Sequence, residues 1–415
     1  MTDYCGLWTR ARGRQTGAGY RGFVPDNKPA PSTRPSDRRE QILAAAARLF
    51  HARGYVQVSL DDIASEVSIS APALYRHFPG KQALLLAVVD DALSSLESVI
   101  GGSASARQLA GSVSAYVVEH GDFGVLLVRE IDCLEDAARL EAHARFDGIV
   151  DAITAVIVSE RPWLDSEVAV ALARTALAIA TSTSYNPSGA GTSALGAMIE
   201  RLLLVVCSEL VVDIGDFVEF VDQRPQRGLS QPWLSRSEAI MAAAPWLLTM
   251  NGGYSTTTLE DLGAAAGISG AGIYTYFSSK ADLFHAVSVR GMTWATSDLE
   301  KALAMSTSGP DTMYRAIESF AKLAGWFTDV ALSSDTLSLS ERQRSLSVQQ
   351  RTEYMGLWLD CLRATRPDLA LMEQGIVLTA VIAATNELSG RRRRSSQRPD
   401  DSALATMIVD LLLAI

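Results

Sequence analysis

From Arg38 to the C-terminus, apolar residues recur at the helical period almost without interruption. In "REQILAAAARLFHARG", Ile42, Ala45, Ala46, Leu49 and Phe50 share one face, and Gly54 ends the helix. "SLDDIASEV" opens with Ser59 as N-cap and Asp62 three residues later, then sets Leu60, Ile63, Ala64 and Val67 on one side. After a break at "SIS" comes "APALYRHF". Ser70 is placed to cap this helix, Pro72 is tolerated in its first turn, and Leu74 and Phe78 face inward. Lys81 opens a long helix, "KQALLLAVVDDALSSLESVI". Two short helices joined by a tight turn, the second exposing Tyr75, Arg76 and His77, form a helix-turn-helix pattern. A generic helical hairpin has the same spelling.

The pattern occurs twice. Residues 54–84 align without a gap to 253–283, and ten of 31 positions are identical. They are Gly54, Tyr55, Leu60, Asp62, Ile69, Ser70, Tyr75, Phe78, Lys81 and Leu84, each with a twin 199 residues on. Thr258 and Asp261 repeat the cap. "SALGAMIERLLLV" from Ser193 returns as "SALATMIVDLLLA" from Ser402, at an offset of 209. The chain therefore reads as a head-to-tail duplication of one all-α unit. The expected boundaries are a basic tail at 1–37, a first head at 38–85 and a first regulatory unit at 86–212. A linker at 213–234, a second head at 235–284 and a second regulatory unit at 285–415 follow.

Composition fits a globular protein with no secretory or membrane-spanning segment, so a cytoplasmic location is expected. Cys5, Cys133, Cys207 and Cys361 lie far apart and form no CxxC pair, and the five histidines fall in no HExxH. Neither a P-loop nor a GxSxG occurs. We expect no enzyme, no metal and no cofactor.

"ILAAAARLFHARGY…SLDDIASEVSISAPALYRHFPGKQALL" resembles the DNA-binding domain of TetR-family transcriptional regulators; the second copy resembles it more weakly. The resemblance implies three DNA-binding helices followed by a helical regulatory domain, whose last two helices pair in a four-helix bundle. It also implies double-stranded operator DNA as partner, with repression released by a small ligand, and a nucleoid-associated location. Carried over by position, Ser70, Ala71, Ala73, Tyr75, Arg76 and His77 would face DNA, with Tyr75, His77 and Lys81 on phosphates and Arg76 suited to a guanine. Ser269, Tyr274, Thr275, Tyr276 and Lys280 would form a second, weaker head. Two departures stand out: Val58 occupies the place of the usual threonine, and no lysine follows Ser70.

The two heads differ in charge. Residues 38–85 hold six cations and four anions, a net +2, whereas 237–284 hold one and four, a net −3. Since phosphate neutralisation dominates DNA affinity, the second head should bind weakly. Its glycine-rich third helix and Pro245 inside its first helix, where a kink is expected, point the same way. The regulatory units differ in the opposite sense. Residues 286–362 hold eleven Met and aromatic residues against four in 87–163. Such side chains either fill a core or line an adaptable apolar pocket. Trp294, Phe320, Trp326, Tyr354 and Trp358 are the candidates for a small apolar effector. The helices at 165–185 and 193–211 suit packing on those at 371–389 and 402–415, which makes an intramolecular pseudo-dimer; assembly into a homodimer stays open. The tail carries a net +3, and Arg391–Arg394 form a basic run, each either a solvated segment or a phosphate contact. A protein-interaction or ligand-sensing module with little DNA binding is the alternative.

Overall fold

A computed structural model describes residues 35–185, 192–211, 217–219, 235–251, 254, 257–333, 339–389 and 397–415. The tail, most of the linker and the Arg391–Arg394 run lie outside the described residues.

The first head is built from α1 (Pro35–Arg53), α2 (Leu60–Glu66) and α3 (Ala71–His77). Its regulatory unit follows as α4 (Lys81–Gly101), α5 (Ala106–Glu119), α6 (Phe123–Val128), a 3-10 turn (Glu130–Cys133), α7 (Asp136–Glu160), α8 (Ser166–Ser182) with a 3-10 extension (Thr183–Tyr185), and α9 (Thr192–Leu204). A π-helical turn, Val205–Glu209, continues α9. The second head holds α10 (Arg236–Asn251), α11 (Leu259–Ala266) and a 3-10 turn, Gly270–Thr275. Its unit consists of α12 (Lys280–Ala304), α13 (Gly309–Ser333), α14 (Glu341–Thr365), α15 (Leu371–Ser389) and α16 (Asp401–Ala414). The fold is all-α. A short antiparallel ribbon joins β1 (Phe217–Glu219), in the linker, to β2 (Gln397–Pro399), pairing Val218 with Arg398.

Local chemistry explains most starts and stops. Ser59 Oγ accepts the Asp62 N–H and the Asp62 carboxylate accepts the Ser59 N–H, a reciprocal capping box; Thr258 and Asp261 repeat it. Those hydrogen bonds hold both carboxyls below their ordinary pKa. Ser70 departs from expectation: its side chain makes no capping bond, and Pro72 in the first turn already removes one donor that would need it. Its twin Ser269 does cap, accepting from Gly272 N. α10 includes Pro245 and continues past it to Asn251.

The four-helix bundle forms within one chain. α8 lies along α15, α9 packs on both, and α16 packs on α15 and on the π-turn of α9. The segment Ser166–Tyr185 is long and apolar enough to cross a membrane, but 83% of that window is buried inside the protein. Arg174, on α8, reaches Glu387 on α15 at 3.4 Å. One hydrophobic core runs through head one, both regulatory units and the bundle. Head two closes around a separate core that includes Ile240, Leu248, Leu262, Ile273 and Phe284.

Candidate nucleic-acid interface

Head one presents α3 on a rigid base. Leu74 and Phe78 are buried beneath it, while Tyr75 is 53% exposed and Ser70 and Arg76 are exposed beside it. Ala71, Ala73 and His77 are half-buried. An open groove of about 470 Å³ runs past Tyr75, bordered by Val56 to Asp61 and by Lys81. Val58 is buried, so at the position where the family's threonine was expected the side chain packs inward.

Most of the head's cations are engaged within it. Arg38 donates to Val67 O at 3.3 Å, and Arg39 lies over the Phe78 ring at 5.1 Å. Arg48 pairs with Glu66 at 3.6 Å and Arg53 with Asp62 at 3.9 Å. Lys81 sits 4.2 Å over the Tyr55 ring and donates to Val56 O at 3.3 Å. Burial lowers its pKa, as it does that of its twin. Lys280 makes the same arrangement, 4.3 Å over Tyr254 and donating to the Tyr254 carbonyl at 2.5 Å. Two of the repeated identities, Tyr and Lys, therefore belong to a cation–π staple that closes each head. Sequence reading placed Lys81 on a phosphate and did not see the staple, which joins residues 26 positions apart with no periodic signal between them. Arg76 makes no ion pair or hydrogen bond among the described residues. It is the cation free to meet a ligand.

Head two presents a different surface. Its third segment is a 3-10 turn, not an α-helix. A Cβ on Gly263 would lie 2.8 Å from Gly270 N, and one on Gly270 would lie 3.0 Å from Glu260 N. Head one has Ala64 and Ala71 there. The glycines draw the turn against α11. Tyr274 is 58% exposed and Tyr276 44%, with Ser269 and Thr275 exposed beside them, but no arginine accompanies them.

The candidate effector residues divide. Phe320 and Tyr354 meet Trp358 edge-on at centroid distances of 5.7 and 6.4 Å, and Trp358 is completely buried. These three are core packing. Trp294 is half exposed under the Arg290 guanidinium at 4.4 Å and does not join them. The side chain of Trp326 lies outside the described residues. Among the described residues no group of acidic, His and Cys side chains could hold a metal.

The profile for bacterial regulatory proteins of the tetR family matches residues 42–88 and, again, 247–287. Those two segments are the two heads. The chain belongs to the TetR family. As a tandem TetR protein it holds the domain twice. Among curated relatives, the HTH-type transcriptional activator FasR of Mycolicibacterium smegmatis is 32% identical over 130 residues, 28% of this chain and 59% of that protein. The regulator EthR of the same organism is 41% identical over 69 residues, 16% of this chain and 32% of EthR. The tandem TetR chain thus spans less than two thirds of the length of either relative. A TetR-family regulator of Bordetella parapertussis of known structure overlaps 40% of this chain and 93% of its own, at 22% identity and a TM-score of 0.34.

Proposed function

We propose that this tandem TetR protein is a DNA-binding transcriptional regulator in which one chain supplies both halves of the family's dimer. The observation that carries the reading is α3 of head one: an exposed Tyr75 and an unpaired Arg76 on a short helix above a buried Leu74 and Phe78. A major groove admits such a helix, and a guanidinium can read guanine or hold a phosphate. The Lys81 ammonium serves first to close the head and adds charge near the phosphates second. Tyr274, Thr275 and Tyr276 give head two hydrogen-bonding reach without phosphate-neutralising charge, so head two contributes little affinity. The bundle face that a TetR dimer would share between subunits is occupied by α8, α9, α15 and α16 of one chain, which favours one chain per operator.

A small apolar effector releases the DNA, and the regulator represses in its absence. The aromatic richness of the second regulatory unit supports this assignment. Because Phe320, Tyr354 and Trp358 are packed together, entry of a ligand requires them to separate. Light-scattering mass with DNA from upstream of the protein's own gene tests the reading. One chain per duplex is expected, with affinity falling steeply as salt rises. Two chains per duplex would mean that first heads pair between molecules. No complex at low salt, with wider genomic fragments failing too, would leave the protein-interaction alternative.

A further inference from the structure

The junction between head one and its regulatory unit is polar, buried and one-sided. Arg129 Nη2 donates to Phe50 O at 3.0 Å and His51 O at 3.4 Å, carbonyls in the last turn of α1. A cation there adds a donor to carbonyls at the helix end and favours its dipole. Glu130 is 2% exposed. Its Oε1 accepts Arg129 Nε at 2.5 Å, and its Oε2 accepts Tyr55 N at 3.0 Å. The Tyr55 ring in turn carries the Lys81 ammonium. One carboxylate of the regulatory unit thus fixes the backbone from which the closing staple of head one hangs.

The same junction reaches the bundle. His51 Nε2 meets Ser184 O at 3.0 Å, at the end of α8. Gly124, at the start of α6, donates to Ser184 Oγ at 2.8 Å. A Cβ on Gly124 would lie 2.0 Å from Thr181 O, so α6 rests backbone-to-backbone on α8. From α8 the contacts run through α6 to Arg129 and Glu130, and from there to α1. Head two sits on other contacts: Gln343 donates to Asp282 at 2.8 Å and Ser347 meets His285 at 3.3 Å, both from α14.

We infer that Glu130 and Arg129 are positioning residues for DNA reading: they set the attitude of head one on the bundle, while head two is carried independently of them. A buried carboxylate stripped of its partners is costly, so the junction has one favoured geometry and passes a shift of α8 to α3 as a unit. The inference rests on the DNA-reading proposal only for its consequence on affinity, not for the coupling itself.

Hydrogen exchange on the full DNA-free chain tests the coupling. In Glu130→Ala, amides of α1 to α3 are expected to exchange at least about tenfold faster, while α8 and head two keep their rates. Gly124→Ala, whose added Cβ would meet Thr181 and Ser184, is expected to accelerate α1 in the same way by lifting α6 from α8. Arg145→Ala serves as control: its ion pairs with Asp90 and Glu97 lie inside the regulatory unit, and head one should not respond. Should Glu130→Ala fail to fold, Glu130→Gln keeps the shape and is read for the same local pattern. Acceleration spread evenly over α1 to α9 would make the pair merely structural and overturn the inference, as would no change in α1 to α3. Operator affinity, measured in parallel, should fall with the head-one exchange. If the exchange pattern appears while the wild type binds no DNA, the coupling stands and the DNA reading falls.

Discussion

Ser68 is the non-glycine residue with a left-handed backbone among the described residues, at φ 55°, in the turn between α2 and α3. Its twin is Gly267 at φ 70°. The turn demands this conformation in both heads, and only the second uses the residue that adopts it without a Cβ clash. Ser68→Gly should stabilise head one by about 0.5 kcal/mol, since the gain in the fold is partly offset by a freer unfolded chain. Gly267→Ser should cost head two about 1 kcal/mol. Urea denaturation followed by hydrogen exchange in each head reads both. Nothing in "EVSIS" marks the serine as left-handed until "AAGIS" is set beside it. Arg76 is legible for the opposite reason: an arginine on the outer face of a short helix needs no tertiary knowledge to be seen. Arg76→Ala should weaken operator binding by about 1–3 kcal/mol and flatten the salt dependence by about one unit if it holds a phosphate. An unchanged affinity would remove Arg76 from the interface.

Each bundle half is closed by an Arg-Pro turn that sequence reading passed over. Arg161 donates to Leu210 O at 2.6 Å and Arg366 to Leu412 O at 2.5 Å, each capping the end of the last helix of its own unit. The turns differ by one residue. Arg366 also holds Asp368, at 2.6 Å, and keeps that carboxyl at a pKa of about 2. Copy one has Trp163 in its place, 75% exposed, and the Nη1 of the buried Arg161 has no partner among the described residues. Trp163→Asp should therefore raise stability slightly at neutral pH, the gain kept small because the carboxylate stays in water. The sign follows from a folded pKa below the unfolded one: the gain is present above about pH 4 and disappears as pH falls through the folded value. Thermal melts of both proteins at pH 7 and pH 2.5 check it, and an equal gain at both would exclude an ion pair. The caps and the amphipathic faces of α2 and α11 could be read from spacing alone, because their partners are three or four residues away. The Arg-Pro turns and the 3-10 form of head two could not. The first depends on a carbonyl 46 to 49 residues distant, and the second on how closely two backbones approach at Gly263 and Gly270.

At the scale of the whole molecule, duplication was plain in the repeat, but the unequal attachment of the heads was not. Periodicity shows that a face is apolar; it does not show which element covers it. Aligned α4 and α12 explain the difference. Val88, Val89, Ala92 and Leu93 continue one stripe from head one into the regulatory core. Their twins are Val287, Ser288, Gly291 and Met292, where a hydroxyl and a missing side chain interrupt the stripe. α12 consequently places Leu283, Phe284 and Val287 in the core of head two, and Ala295 and Leu299 in the main core, with a gap between. Two cores joined by a polar stretch of helix should open separately. Leu74 in head one and Leu262 in head two are both completely buried. Each truncation to Ala should cost about 2–5 kcal/mol locally. Leu262→Ala should lower a first calorimetric transition belonging to head two and leave the main one in place. Leu74→Ala should shift the main transition, because its core is continuous with the bundle. If Leu262→Ala moved a single transition for the entire chain, α12 would be transmitting stability across its gap, and head two would be as firmly joined to the bundle as head one.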